Sequence, residues 1–202
     1  KARLKTINSL GRMMIAIRSA GVPVKKGDKL CGTRIIPLVI EKKAMEKAKA
    51  LAGDTPILRL KPFRARKYGV VTTGSEVFHG RITDKFTPVI QQKLAEYGCE
   101  MAAHEICDDD DKSITAAINR MLDEGVEMVV CTGGMSVDPD DRTPLAIRNT
   151  GARIVSYGAP VLPGAMFLIS YMPDGRPVCG LPGAYTRVRW PRCLRWNPSE
   201  LR

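Results

Sequence analysis

The sequence predicts an α/β protein: a three-layer α/β/α sandwich on a mostly parallel sheet, with a small β-rich appendage at its N-terminal side. Three observations carry this. From Tyr68 onward short apolar runs alternate with stretches of helical periodicity, and such alternation implies crossover units and a sheet covered on both faces. Charge is split: residues 1–67 hold 18 Lys and Arg against 4 Asp and Glu, whereas residues 68–202 hold 14 against 17. A hydrophobic content of 44% beside 26% charged residues, over 202 positions, suits a chain that buries a core.

In the appendage, residues 1–67, "MMIAIRSAG" (13–21) and "CGTRIIPLVI" (31–40) read as strands around the turn-rich "VPVKKGDKL". "EKKAMEKAKALAG" places Met45, Ala48 and Leu51 on one face of a short helix that Gly53 stops. "PILRLKPFRARK" (56–67) reads as another strand running into a basic linker.

The main domain is expected over 68–186. "YGVVTT" is a buried strand ending at Gly74. Phe86, Val89, Ile90, Leu94 and Tyr97 fall at helical spacing between Asp84 as N-cap and Gly98 as stop. "CEMAAHEI" (99–106) is the next strand, and Ile114, Ala117, Ile118, Met121 and Leu122 form the stripe of the next helix. The acids Asp108 to Asp111 before that helix read as capping and solvation. A strand over 127–132, a helix over about 142–149 and the run "ARIVSYG" (152–158) follow. "AMFLISYMPDGRPVCGLPG" (165–183) reads as a hairpin turning at Pro173-Asp174-Gly175-Arg176.

Composition narrows the partners. The basic first part attracts anions, but Phe63 is its one aromatic, so no stacking platform for nucleic acid is expected. No apolar run approaches the ~18 residues of a membrane span, so no membrane partner is expected. No leader is visible, although the chain begins at Lys1. None of the six cysteines forms a CxxC pair, and only His79 and His104 could join them as zinc ligands. Cys99, Cys131 and Cys179 therefore read as buried free thiols of a cytoplasmic protein.

In open α/β sheets ligands bind beyond the carboxyl ends of the strands, where strand order reverses. If the first three strands of this domain take the order 2-1-3, the crevice lies between "TTGSE" (72–76) and "TGGMS" (132–136). Glycines there let backbone amides approach an anion, and Thr73, Ser75, Thr132 and Ser136 offer hydroxyls. Neither a Walker loop nor a dinucleotide fingerprint is present. Asp138, Asp140 and Asp141 follow the second turn, and two readings stay open. Carboxylates beside a phosphate loop call for a hard divalent cation such as magnesium. Alternatively they form an exposed acidic turn, with Asp141 capping the helix that contains Pro144.

"VVTTGSEV", "VVCTGGMSVDPDD", "GAPVLPG" (158–164) and "PVCGLPG" (177–183) resemble, in order and close to the spacing, the molybdopterin-binding domain. That domain is shared by molybdopterin adenylyltransferases, molybdenum insertases and gephyrin. The Ser-Val after the glycines and the paired Pro-Gly turns are more similar to the insertase branch. The resemblance implies an enzyme of molybdenum cofactor biosynthesis, a molybdopterin molybdotransferase that acts on molybdopterin or its adenylylated form with molybdate and magnesium. It implies ligand contacts at Thr73, Gly74, Ser75, Gly133, Gly134, Ser136, Pro163, Gly164, Leu181, Pro182 and Gly183. It puts Asp84 and Asp141 in the reaction, and Glu76, Asp140 and Asp141 on the metal. Homo-oligomers, dimers or trimers, are expected by the same analogy. A carrier role, adenylylation, or the hydrolysis associated with competence-induced pyrophosphatase relatives are the alternatives. Two departures stand out. Asp84-Lys85-Phe86 replaces the insertases' Asp-x-Asn, and Ala184-Tyr185 follows Leu-Pro-Gly where they have Asn-Pro. The tail 187–202, with five arginines, two tryptophans and two prolines, has no clean apolar face.

Overall fold

The computed structural model describes residues 2–158 and 164–183. Pro163 and the tail 187–202 lie outside the described residues. The described chain forms two compact units, one ending at Pro62 and one starting at Phe63.

The first unit holds α1 (Ala2–Asn8), β1 (Met13–Ile17), β2 (Cys31–Ile35) and α2 (Lys42–Ala52). The strands pair antiparallel, Met13 with Ile35 and Ile17 with Cys31. Ile7, Met13 and Ala48 form its small core, packed by Ile15, Ile35, Leu51 and Ile57. Asn8 pins α1 to β1: its side-chain oxygen accepts from Ile15 N–H at 2.8 Å and its amide donates to Ile15 C=O at 3.0 Å. Gly53 ends α2 at φ 65°, as its position suggests. Two features differ from expectation. The sequence gives no sign of α1, and the strand expected over 56–67 is absent apart from Lys67, which opens the first strand of the next unit. Pro56 and Pro62 carry no N–H for a ladder, and Leu60 is exposed.

The second unit runs β3 (Lys67–Thr73), α3 (Ser75–Phe78), α4 (Phe86–Ala95), β4 (Glu100–Cys107), α5 (Asp111–Asp123), β5 (Met128–Thr132), α6 (Thr143–Asn149), β6 (Arg153–Tyr157), β7 (Leu168–Tyr171) and β8 (Pro177–Leu181). Its six-stranded sheet has the order β4-β3-β5-β8-β7-β6. The first four strands are mutually parallel, and β7 runs antiparallel to both of its neighbours, β8 and β6. The 2-1-3 order is therefore present as β4-β3-β5. Successive side chains on a strand face opposite ways. Val71, Val129, Cys131 and Val178 pack with Ile114, Ile118 and Met121 of α5 and Ile147 of α6. Thr72 turns to the other face, where its hydroxyl meets Thr87 of α4 at 3.1 Å. Gly69 lets α5 sit close: a Cβ there would lie 2.5 Å from Met121 Sδ. The 173–176 hairpin turn forms as expected, with Tyr171 paired to Pro177.

Among the described residues every cysteine is a free thiol; Cys107, Cys131 and Cys179 are buried, and Cys99 is half-buried. Burial pushes the Cys107 thiol up to about 11 and the Cys179 thiol up to about 12, which leaves both unreactive. No helix among the described residues is long and apolar enough to cross a membrane.

Candidate functional site

Pairing of Thr72 with Thr132, and of Thr132 with Leu181, brings three chain exits to one rim of the sheet. Gly74, Gly133 and Gly183 follow those strand ends. The Gly133 turn lies directly against the first: a Cβ on Gly133 would fall 2.1 Å from Thr73 C=O, and its φ is 86°. One on Gly134, at φ 50°, would fall 2.8 Å from Thr143 Oγ1. Only glycine fits both places. Thr143 donates to Gly133 C=O at 2.9 Å and meets Thr73 Oγ1 at 3.1 Å. Thr73 thus supports the loop from beneath, with its hydroxyl engaged by Thr143.

Asp141 folds the loop back on itself. Its carboxylate accepts from Ser136 N–H at 2.6 Å, and its own N–H donates to Asp138 C=O at 3.1 Å. It does not cap α6, whose first turn receives no side-chain cap. A pocket of about 350 Å³ results, lined by residues 133–137, Asp141, residues 164–166, Pro182 and Gly183. Among the described residues, the N–H groups of Gly134, Met135 and Val137 make no hydrogen bond. Two left-handed residues followed by free amides suit an anion. Of the sequence-predicted residues, Gly133, Gly134, Ser136, Asp141, Gly164, Pro182 and Gly183 line this pocket. Leu181 is core beneath it, 4% exposed.

The first turn is different. Gly74 N–H donates to Cys107 C=O at 3.3 Å and Ser75 N–H to Asp109 Oδ2 at 2.9 Å. Ser75 Oγ donates to Asp108 Oδ1. Both Ser75 donors are therefore committed to the end of β4, and its hydroxyl is not offered to a ligand. The hydrogen bond from Ser75, then that from Asp109 N–H, holds the Asp108 carboxyl below its ordinary range. Asp110 does cap α5, accepting from Ser113 N–H at 2.8 Å. Capping and solvation thus describe Asp110, whereas Asp108 and Asp109 tie down the turn. The 2-1-3 order was the signal for this, because it sets the end of the second strand beside the first.

Asp84 serves α4: Oδ1 accepts from Phe86 N–H at 2.7 Å and Thr87 N–H at 3.2 Å, and Oδ2 accepts from Thr72 at 3.1 Å. Burial pushes its pKa up, but hydrogen bonds from Thr87, Phe86 and Thr72 outweigh this and lower it. It does not line the pocket. His104, to which the sequence reading gave no role in the site, places Nε2 at 3.1 Å from Thr72 Oγ1 and 3.5 Å from Asp84.

Glu76 and Asp140 are exposed, and among the described residues no three His, Cys, Asp or Glu gather to hold a metal. Glu76, Asp140 and Asp141 are thus not a preformed cage. Magnesium keeps several waters and takes one or two carboxylates plus the phosphates of a ligand. Asp141, the one carboxylate lining the pocket, suits an ion that arrives with a phosphorylated ligand.

Residues 69–189 match the family described as "Probable molybdopterin binding domain". A CinA-like protein of Mycobacterium tuberculosis strain H37Ra is 40% identical over 75 residues, which are 37% of this chain and only 17% of that protein's length. The tungsten cofactor synthesizing protein MoaB from Pyrococcus furiosus has 27% identity at a TM-score of 0.50, over 59% of this chain and 83% of that one. The protein CinA from Thermoplasma acidophilum, at 21% identity and a TM-score of 0.52, covers 59% of this chain and 89% of its own and shares the fold. With the fold, the rim pocket and a match across most of the second unit, this chain belongs to the molybdopterin-binding domain family of molybdenum cofactor biosynthesis.

Proposed function

We propose that the rim pocket binds molybdopterin, with the ligand's phosphate against the amides of Gly134, Met135 and Val137, and that the chain serves molybdenum insertion as a molybdopterin molybdotransferase. The observation that carries this is the loop itself. Among the described residues the N–H groups of Gly134, Met135 and Val137 are unspent, the glycines exclude any Cβ, and one carboxylate, Asp141, closes the loop through Ser136 N–H. Backbone donors fixed in advance cost no reorganisation when a phosphate arrives. Asp141 would hold magnesium jointly with that phosphate, and magnesium, when bound, neutralises the charge between them. The pocket then acts by positioning: it keeps the dithiolene end of the ligand in place for molybdate, with no side-chain nucleophile required.

The test is incubation with molybdopterin, adenosine triphosphate, magnesium and molybdate, followed by product analysis. Metal-loaded cofactor is the expected product. Asp141→Asn keeps an oxygen acceptor for Ser136 N–H, so it should melt with the wild type yet lose magnesium-dependent transfer. Unchanged turnover would remove Asp141 from the mechanism. Accumulation of adenylylated ligand would move the chain to the adenylyltransferase branch.

A second reading has one observation in its favour, the 40% identity to a CinA-like protein over 75 residues. On that reading the pocket hydrolyses a pyrophosphate linkage. Cleavage of a nucleotide sugar or dinucleotide by a protein that ignores molybdopterin would establish it.

A further inference from the structure

Among the described residues, Thr132 carries the one buried hydroxyl at this rim that the fold does not explain. Val129 and Cys131 point into the α5 core, so alternation along β5 turns Thr132 to the face that α4 covers. Its partner on β3 is Thr72, which shares that face and is saturated by Asp84, Thr87 and His104. Thr132 is 2% exposed, and among the described residues its Oγ1 has no hydrogen-bond partner. A hydroxyl left so destabilises the free protein and calls for a reason.

Thr132 does not itself line the pocket, but the residue that follows it, Gly133, does. On its other side Thr132 pairs with Leu181, two residues before Gly183, which lines the pocket. Phe86, the first residue of α4, packs on Gly183: a Cβ there would lie 3.2 Å from two atoms of the ring. A glycine wall beside an aromatic ring accepts a flat ligand group. Asp84, two residues before Phe86, discourages an anion on this side.

We infer that the Thr132 hydroxyl is a specificity contact of the pocket, hydrogen-bonding the neutral polar edge of a planar heterocycle once the Phe86 ring turns off Gly183. This rests on the molybdopterin reading and assigns the ligand's ring end, as distinct from its phosphate end. Thr132→Val removes the hydroxyl at nearly constant volume, and Thr132→Ser keeps it. Calorimetry with molybdopterin and with inorganic phosphate, together with melting curves, tests the assignment. The Val variant should melt at or above the wild type and bind inorganic phosphate equally. It should bind molybdopterin roughly three- to tenfold more weakly, with Ser restoring most of the affinity. Equal molybdopterin affinity in wild type and Val variant overturns the inference while leaving the molybdopterin reading intact. A Val variant that fails to fold also overturns it, because the hydroxyl would then have a structural partner. A wild type that does not bind molybdopterin overturns both.

Discussion

Gly133 has almost no room to change. Its φ of 86° strains any L residue, and a Cβ would fall 2.1 Å from Thr73 C=O. Gly133→Ala should cost about 3 kcal/mol, combining left-handed strain with overpacking. The midpoint of urea unfolding should fall accordingly, and an unshifted midpoint would mean that the loop relaxes freely. Local chemistry at this scale was legible: Asp84 and Asp110 cap helices as their positions suggest, and the glycines sit where the chain turns. Hydroxyl direction was not legible. Thr73 and Ser75 look like ligand donors, yet their partners are Thr143 and Asp108, set by strand neighbours far away in sequence. The contact of His104 with Thr72 and Asp84, and the unpartnered hydroxyl of Thr132, were hidden for the same reason.

Elements were legible where periodicity met a boundary signal. The stripe of α5 lies buried as its spacing requires, and Pro-Asp-Gly turns β7 into β8. The helix α1 was not, because seven residues with one buried side chain, Ile7, leave no pattern. The run 56–67 alternates like a strand, but alternation cannot tell whether a partner strand exists. Arg176 joins two elements that the sequence treats separately. From the hairpin it donates to Leu122 C=O and, at 3.1 Å, to Val126 C=O at the end of α5, while Nε binds Asp174 at 2.7 Å. Arg176→Ala should therefore destabilise the domain by about 2 kcal/mol, read as a lower melting temperature. An unchanged melting temperature would mean that these carbonyls find water at no cost.

Across the second unit, the 2-1-3 strand order is the fact that matters most, because it sets both glycine turns on one rim. The sequence suggested that order and hence the location. It could not show that the turns divide the work. The first spends Gly74 N–H and both Ser75 donors on the end of β4; the second, among the described residues, leaves three amides open over a pocket of about 350 Å³. The central claim is that the ligand's phosphate rests on the second turn alone. Backbone amide NMR during titration with molybdopterin and magnesium tests it directly. The amide signals of Gly134, Met135 and Val137 should move most, while those of Gly74 and Ser75 stay. Larger shifts at Gly74 and Ser75, or none at the 134–137 amides, would contradict the account.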